Sequence, residues 1–233
     1  MAKKTMIPLP LKPKVIEGKG NWAIIEIEAL YPGYGVTVGN ALRRVLLSSL
    51  EGAAATKIKI KGVPHEFSTI TGVSEDVITI MLNVKQLRFK MTGEEPQVCV
   101  LKGKGEKDIS GKDFDIPSQL ELINPDAHVA TMTAKTAKLD MEITVEKGIG
   151  YTSKETKKKE KLEIGVIPLD AIYTPIKKVG FKVQNMRVGD RTDYDKIMLE
   201  LETDGTISPE DAFMKASEII INHFSLFKEA FVK

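Results

Sequence analysis

Three glycines in the stretch LYPGYGVTVGNALRRVLLSSLEG, Gly33, Gly35 and Gly39, are the residues of this chain that most suggest chemistry. They close a strand-like segment and open a helix, a setting in which backbone N–H groups can wrap a phosphate. The dinucleotide fingerprint is G-x-G-x-x-G, whereas the spacing here is G-x-G-x-x-x-G. The next strand carries Lys57, Lys59 and Lys61 where a ribose-binding Asp or Glu belongs, and no βαβ alternation continues downstream. A P-loop also needs G-K-[ST], which the sequence lacks. A dinucleotide-binding enzyme is therefore the weaker reading of this loop.

The remaining candidate groups do not assemble. His65, His128 and His223 are far apart, and none has a second ligand at metal-binding spacing. Asp113 and Asp115 share a face of KDFDIP, as alternate residues do in ordinary surface hairpins. Cys99 lies in the apolar run QVCVL, where a small buried hydrophobe is expected rather than a nucleophile. No catalytic residue, cofactor or metal site is expected.

The elements that would position functional residues are legible in part. NWAIIEIEAL predicts a half-buried strand with Ile25, Ile27 and Ala29 opposite Glu26 and Glu28, and TKIKIKG alternates Ile58 and Ile60 with lysines. Ser74 is the expected N-cap of a helix over about 75–85 whose core face holds Val77, Met81 and Val84. From Leu87 to about Gly165, short alternating segments between turn signals predict a mainly β region. The lysine-rich run from Lys154 to Lys161 predicts a solvated loop; as a nucleic-acid-binding module it has little support, with only Tyr151 nearby as an aromatic. KKVGFKVQNMRV and DKIMLELETDG predict two further strands before an Asp204-Gly205 turn.

Two helices carry the informative surfaces. On a wheel at 100° per residue, Val38, Leu42, Val45, Leu46 and Leu50 form one arc after the glycines. Asn40, Arg44, Leu47 and Glu51 lie opposite, and an Arg beside an apolar contact is a composition that anchors protein interfaces. The final helix starts at Ser208 as N-cap with Pro209 at N1, and places Phe213, Ala216, Ile220, Phe224, Phe227 and Phe231 on one stripe beside Ile219, Leu226 and Ala230. Four of the chain's eight phenylalanines sit in this helix, so the arc is too wide for one core face and predicts a second surface that meets another copy of the chain.

Composition bounds the rest. At 233 residues the chain has room for one large domain or two small ones, taking about 150 residues per domain. It is 42% hydrophobic without an apolar run of membrane-spanning length, and its N-terminus lacks the apolar stretch of a signal peptide. One cysteine suits a reducing compartment, and a net charge of +2 makes the whole chain a poor electrostatic ligand for nucleic acid.

The run from Gly33 to Leu87, with GNALRRVLLSS at its centre, and the later segments KGIGY and Tyr173 to Ala212 strongly resemble the N-terminal assembly domain of the bacterial and plastid RNA polymerase α subunit. The resemblance covers nearly the whole chain in order. It implies an α+β, discontinuous two-domain fold: a dimerisation domain from residues 1–51 and 173–233, and an inserted mainly β domain over 52–172. It also implies a homodimer that scaffolds the catalytic β and β′ subunits, in a complex that includes omega and sigma, and that performs no chemistry itself. Arg44, Leu47, Ser48 and, in the insert, Lys85 fall where the family contacts β. Leu46, Leu50, Ile220, Phe224, Phe227 and Phe231 are the implied dimer interface. Val36 stands where relatives often carry a polar residue. Family members usually continue into a small DNA-binding domain that nothing after Lys233 represents, so direct DNA contact is not expected. The implied location is the bacterial cytoplasm with its nucleoid, or the plastid stroma.

Overall fold

A computed structural model describes residues 7–157, 163 and 165–230. In chain order the elements are β1 (Lys14–Lys19), β2 (Trp22–Leu30), α1 (Tyr34–Ser48), β3 (Glu51–Ile60), α2 (Val77–Val84), β4 (Phe89–Met91), β5 (Gln97–Lys104), β6 (Lys107–Ser110) and β7 (Phe114–Asp115). They continue as β8 (Leu120–Leu122), β9 (His128–Met132), β10 (Lys138–Ile149), β11 (Tyr151–Thr152), α3 (Lys154–Lys157), β12 (Val166–Pro168), β13 (Ala171–Ile172), β14 (Ile176–Val188), β15 (Arg191–Thr203) and α4 (Pro209–Glu229). They form two compact units: residues through Leu50 together with those from Pro175 onward, and the intervening Glu51–Thr174. The mixed, discontinuous α+β organisation is as expected, with the divisions at Leu50/Glu51 and Thr174/Pro175.

The discontinuous unit is an antiparallel sheet in the order β1-β2-β15-β14, with α1 packed on β14 and β15 and against α4. Ala23, Ile25 and Ile27 of β2 pair with Leu201, Leu199 and Ile197 of β15, and all are buried, as period-two alternation over a one-sided core requires. The alternation breaks at Ala29. That residue takes φ of 60° at a register shift, so Leu30 rather than Ala29 reaches the core.

The wheel for α1 sorted its inward face correctly: Leu42 and Leu46 are buried, and Val38 and Val45 pack beside them. The glycines explain how closely the helix lies on the sheet. A Cβ on Gly39 would stand 2.6 Å from the Phe181 ring, and one on Gly35 would stand 2.7 Å from Val183 Cγ1. For α4, Ser208 Oγ accepts the Asp211 N–H at 3.1 Å and Pro209 occupies the first turn, so the start signal holds.

In the inserted unit the large antiparallel sheet runs β7-β5-β10-β3-β4-β8, with β12 also on β3. Ile58, Ile143 and Cys99 sit opposite one another across three strands and form one buried row. The lysines on the wet face of β3 meet acids of β10, Lys57 facing Glu146 and Lys61 facing Asp140, each at 3.6 Å. Helix α2 starts later than expected. Its N-cap is Asp76, which accepts the Thr79 N–H at 2.8 Å, because the segment before it is still paired with β9, Val73 bridging Met132 and the Ser74 N–H bonding Thr131 O.

Replacing Gly39 with Ala is expected to destabilise the protein by about 1–3 kcal/mol, because the added methyl overpacks the Phe181 ring. Urea unfolding checks this, and an unchanged midpoint would contradict the packing.

Candidate protein-binding surfaces

The glycine turn is closed to a phosphate by the protein's own carboxylate. Oδ2 of the buried Asp195 accepts the N–H groups of Gly33 and Gly35, each at 2.9 Å. Gly33, at φ of 85°, is the N-cap and supplies no side-chain cap, and the first turn of α1 holds no acid. The anion that a helix N-terminus favours therefore comes from β15, far away in sequence. Sequence reasoning missed Asp195. The available signal was its place on β15, an acid in step with Ile197, Leu199 and Leu201, since a carboxylate at an inward position needs donors.

The other candidate groups also have structural partners. His128 Nε2 meets Glu75 at 2.9 Å, His65 Nδ1 meets Ser68 Oγ at 3.2 Å, and His223 Nδ1 donates to Ile219 O at 2.8 Å. Asp113 accepts the Ser110 N–H and binds Lys107. Among the described residues, no group of three or more His, Cys, Asp or Glu is placed to hold a metal, and no helix is long and apolar enough to cross a membrane. Burial, with a smaller contribution from the nearby Asp115 charge, pushes the Cys99 thiol up to about 12.

Among the described residues of the discontinuous unit, both helices carry an uncovered face. On α1, Arg44 and Ser48 are exposed and Leu47 is 38% exposed, with Val36, Asn40 and Arg43 outward too. Ser48 Oγ donates a hydrogen bond to the Arg44 backbone O at 2.8 Å, and the Arg44 side chain is exposed. On α4, Ala212 and Ala216 are buried and Phe213, Ile219 and Ile220 pack on the core, while every described residue from Ile221 onward is exposed. Phe224 and Phe227 are 64% and 58% exposed and meet edge to face with centroids 5.9 Å apart.

Two residues implied for the dimer interface lie inward in the single chain. Leu46 and Leu50 are 0% and 2% exposed, buried among Ile197, Leu199 and Ala216. Phe231 lies outside the described residues. Lys85 belongs to the inserted unit. Its Nζ lies 3.4 Å from Asp170 Oδ2, beside a shallow cavity of about 190 Å³ rimmed by the exposed Phe67 and Leu82. The Lys154 backbone N–H, with the Lys85 charge, holds the Asp170 carboxyl below the usual carboxylate range. Of the lysine-rich run, Lys154–Lys157 form a helical turn and residues 158–161 lie outside the described residues.

Geometry of this kind defines a class: an α+β protein made of a discontinuous unit and an inserted, mainly β unit. Residues 58–174 match the family described as the RNA polymerase Rpb3/RpoA insert domain. The DNA-directed RNA polymerase subunit alpha of Carboxydothermus hydrogenoformans is 49% identical over 218 residues, covering 93% of this chain and 69% of the relative. That of Clostridium kluyveri is 47% identical over 220 residues, covering 93% and 70%. The chain belongs to the bacterial RNA polymerase α-subunit family.

Because Cys99 is buried and its thiol is held protonated, it is expected to resist a thiol reagent such as DTNB at pH 8 in the native protein and to react at once in urea. Rapid native labelling would show that the β5 row opens.

Proposed function

We propose that this chain is the assembly subunit of a DNA-directed RNA polymerase. It works by burying protein surface and performs no bond-making step of its own. Two copies join through the outer half of α4. The dimer then receives β on the α1 face of one copy, through Arg44, Leu47 and Ser48, while the other copy meets β′. Lys85 is a secondary β contact from the inserted unit, made by exchanging its Asp170 pairing. Omega and sigma join the same complex. It works in the cytoplasm.

One observation carries this reading: α4 is half buried and half bare, with Ile221, Phe224, Leu226 and Phe227 all exposed on a helix whose first turns are locked into the core. Leaving so many large apolar side chains in water is costly, since burying each is worth about 1.5–3 kcal/mol. A self-complementary contact of the same helix with its symmetry mate would cover them. The β face has different chemistry. An outward Arg beside an exposed Leu offers several donors and a dry contact together, which suits a partner of another kind.

Arg44→Ala is expected to weaken capture of the β subunit by about 2 kcal/mol, some thirtyfold, while the dimer stays intact. Titration with purified β checks it, and undiminished affinity would remove α1 from the β contact. Phe224→Asp or Phe227→Asp is expected to give monomers in sedimentation equilibrium. An unaltered dimer would place the self-contact elsewhere.

A further inference from the structure

We propose that Asp195 is a positioning residue for partner capture, acting through α1 on Arg44 and Leu47; the inference rests on the reading of α1 as the β-binding face. The residue is buried, and one oxygen of its carboxylate accepts two N–H groups at the start of α1, those of Gly33 and Gly35, both at 2.9 Å. Two bonds to one atom fix the helix start in space more tightly than a single cap would. The contact is also sterically exclusive. A Cβ on Gly35 would come within 2.9 Å of both Cβ and Oδ2 of Asp195, so the helix can approach only with its glycine edge inward.

One turn further on, Gly39 lies flush on the Phe181 ring, and Leu42 and Leu46 continue the same inward stripe. A helix pinned at its first residue and seated along one stripe has neither rotational nor axial freedom. Its opposite face is then determined: Val36, Asn40, Arg44 and Leu47 all project outward. Arg44 and Leu47 are three residues apart and so are neighbours on the helix surface. A rotation of α1 by one residue's arc, about 100°, would carry Arg44 and Leu47 off the outer face and turn Val45 and Ser48 into their places. The carboxylate is thus the part of the sheet that sets which side chains a partner meets. Because it is charged, it also complements the helix N-terminus, a role that an uncharged acceptor fills only weakly.

The test is a double-mutant cycle on the full chain, with purified β subunit as the probe and sedimentation measuring the dimer in parallel. Asp195→Asn keeps the side-chain shape and one acceptor oxygen, and Asp195→Ala removes both. Asp195→Asn is expected to lower affinity for β about tenfold in the otherwise native chain, with dimerisation and far-UV circular dichroism unchanged. In an Arg44→Ala background the same substitution is expected to lower it less than threefold, since the group it positions is already gone. Asp195→Ala is expected to exceed the Asn effect; should the Ala variant not fold, the Asn cycle decides alone. Equal losses in both backgrounds would make Asp195 a general stabiliser and overturn the inference, as would unchanged affinity on Asp195→Asn. If Arg44→Ala alone left β binding intact, the reading of α1 would fall instead. The two failures are therefore distinguishable.

Discussion

A carboxylate and a helix end solve each other's problem in this protein. Buried without donors, Asp195 would carry a large desolvation penalty. Left without an acid, α1 would begin with unsatisfied N–H groups and an uncompensated dipole, because its own first turn supplies neither a side-chain cap nor an acid. Joining the two with paired 2.9 Å bonds removes both costs and ties β15 to α1 across a long stretch of chain. The rest of the discontinuous unit follows from that tie. Gly35 and Gly39 are then required for close approach to the sheet, and Leu42 and Leu46 must be the residues that fill the space against Ile197 and Leu199.

The same tie explains what the sequence does and does not disclose. Local periodicity carries the strands and the faces of the helices, because alternation in β2, β3 and β15 and the arc of α1 each depend on one element meeting one apolar layer. Ser208 likewise reveals the start of α4, since cap and first turn are neighbours in sequence. Long-range choices are invisible in this way. Ser74 loses its place as N-cap because Val73 and Ser74 are held along β9 by Met132 and Thr131, and the Glu75 carboxylate is drawn off to the Thr131 N–H and His128. Ala29 leaves its face because the β2 and β15 registers shift beside it. The wheel places Leu46 and Leu50 on the inward arc, where they lie; it is the family resemblance that implies them for the dimer interface. The order of the segments and the GNALRRVLLSS run carried the family, and with it the two-part organisation that periodicity alone left open.

The two uncovered surfaces differ in a way that composition makes physical. The outer half of α4 is almost purely apolar along its exposed stripe, with Phe224 and Phe227 already stacked edge to face. Such a surface gains from permanent burial and offers little to discriminate one partner from another, apart from the shape that its own symmetry mate supplies. The face of α1 mixes a guanidinium, hydroxyls and a single leucine, so most of its free energy depends on donors meeting matching acceptors. Specificity comes from that requirement, because a wrong partner leaves polar groups desolvated and unpaired.

The order of the proposed assembly follows from the same contrast. An apolar stripe that no described residue of its own unit covers is the surface least able to wait in water, so in the proposed assembly self-association comes before capture of the large subunits. A polar, rigidly held face can wait, since solvent satisfies Arg44 until a partner replaces it. Rigidity then matters more than area: a helix free to rotate would pay in ordering entropy whenever it bound, whereas one fixed by Asp195 and seated on Phe181 presents its contacts already arranged. The glycines that resemble a phosphate loop are thus the means by which a sheet holds a helix still, and their value lies in what the far side of that helix can offer to another chain.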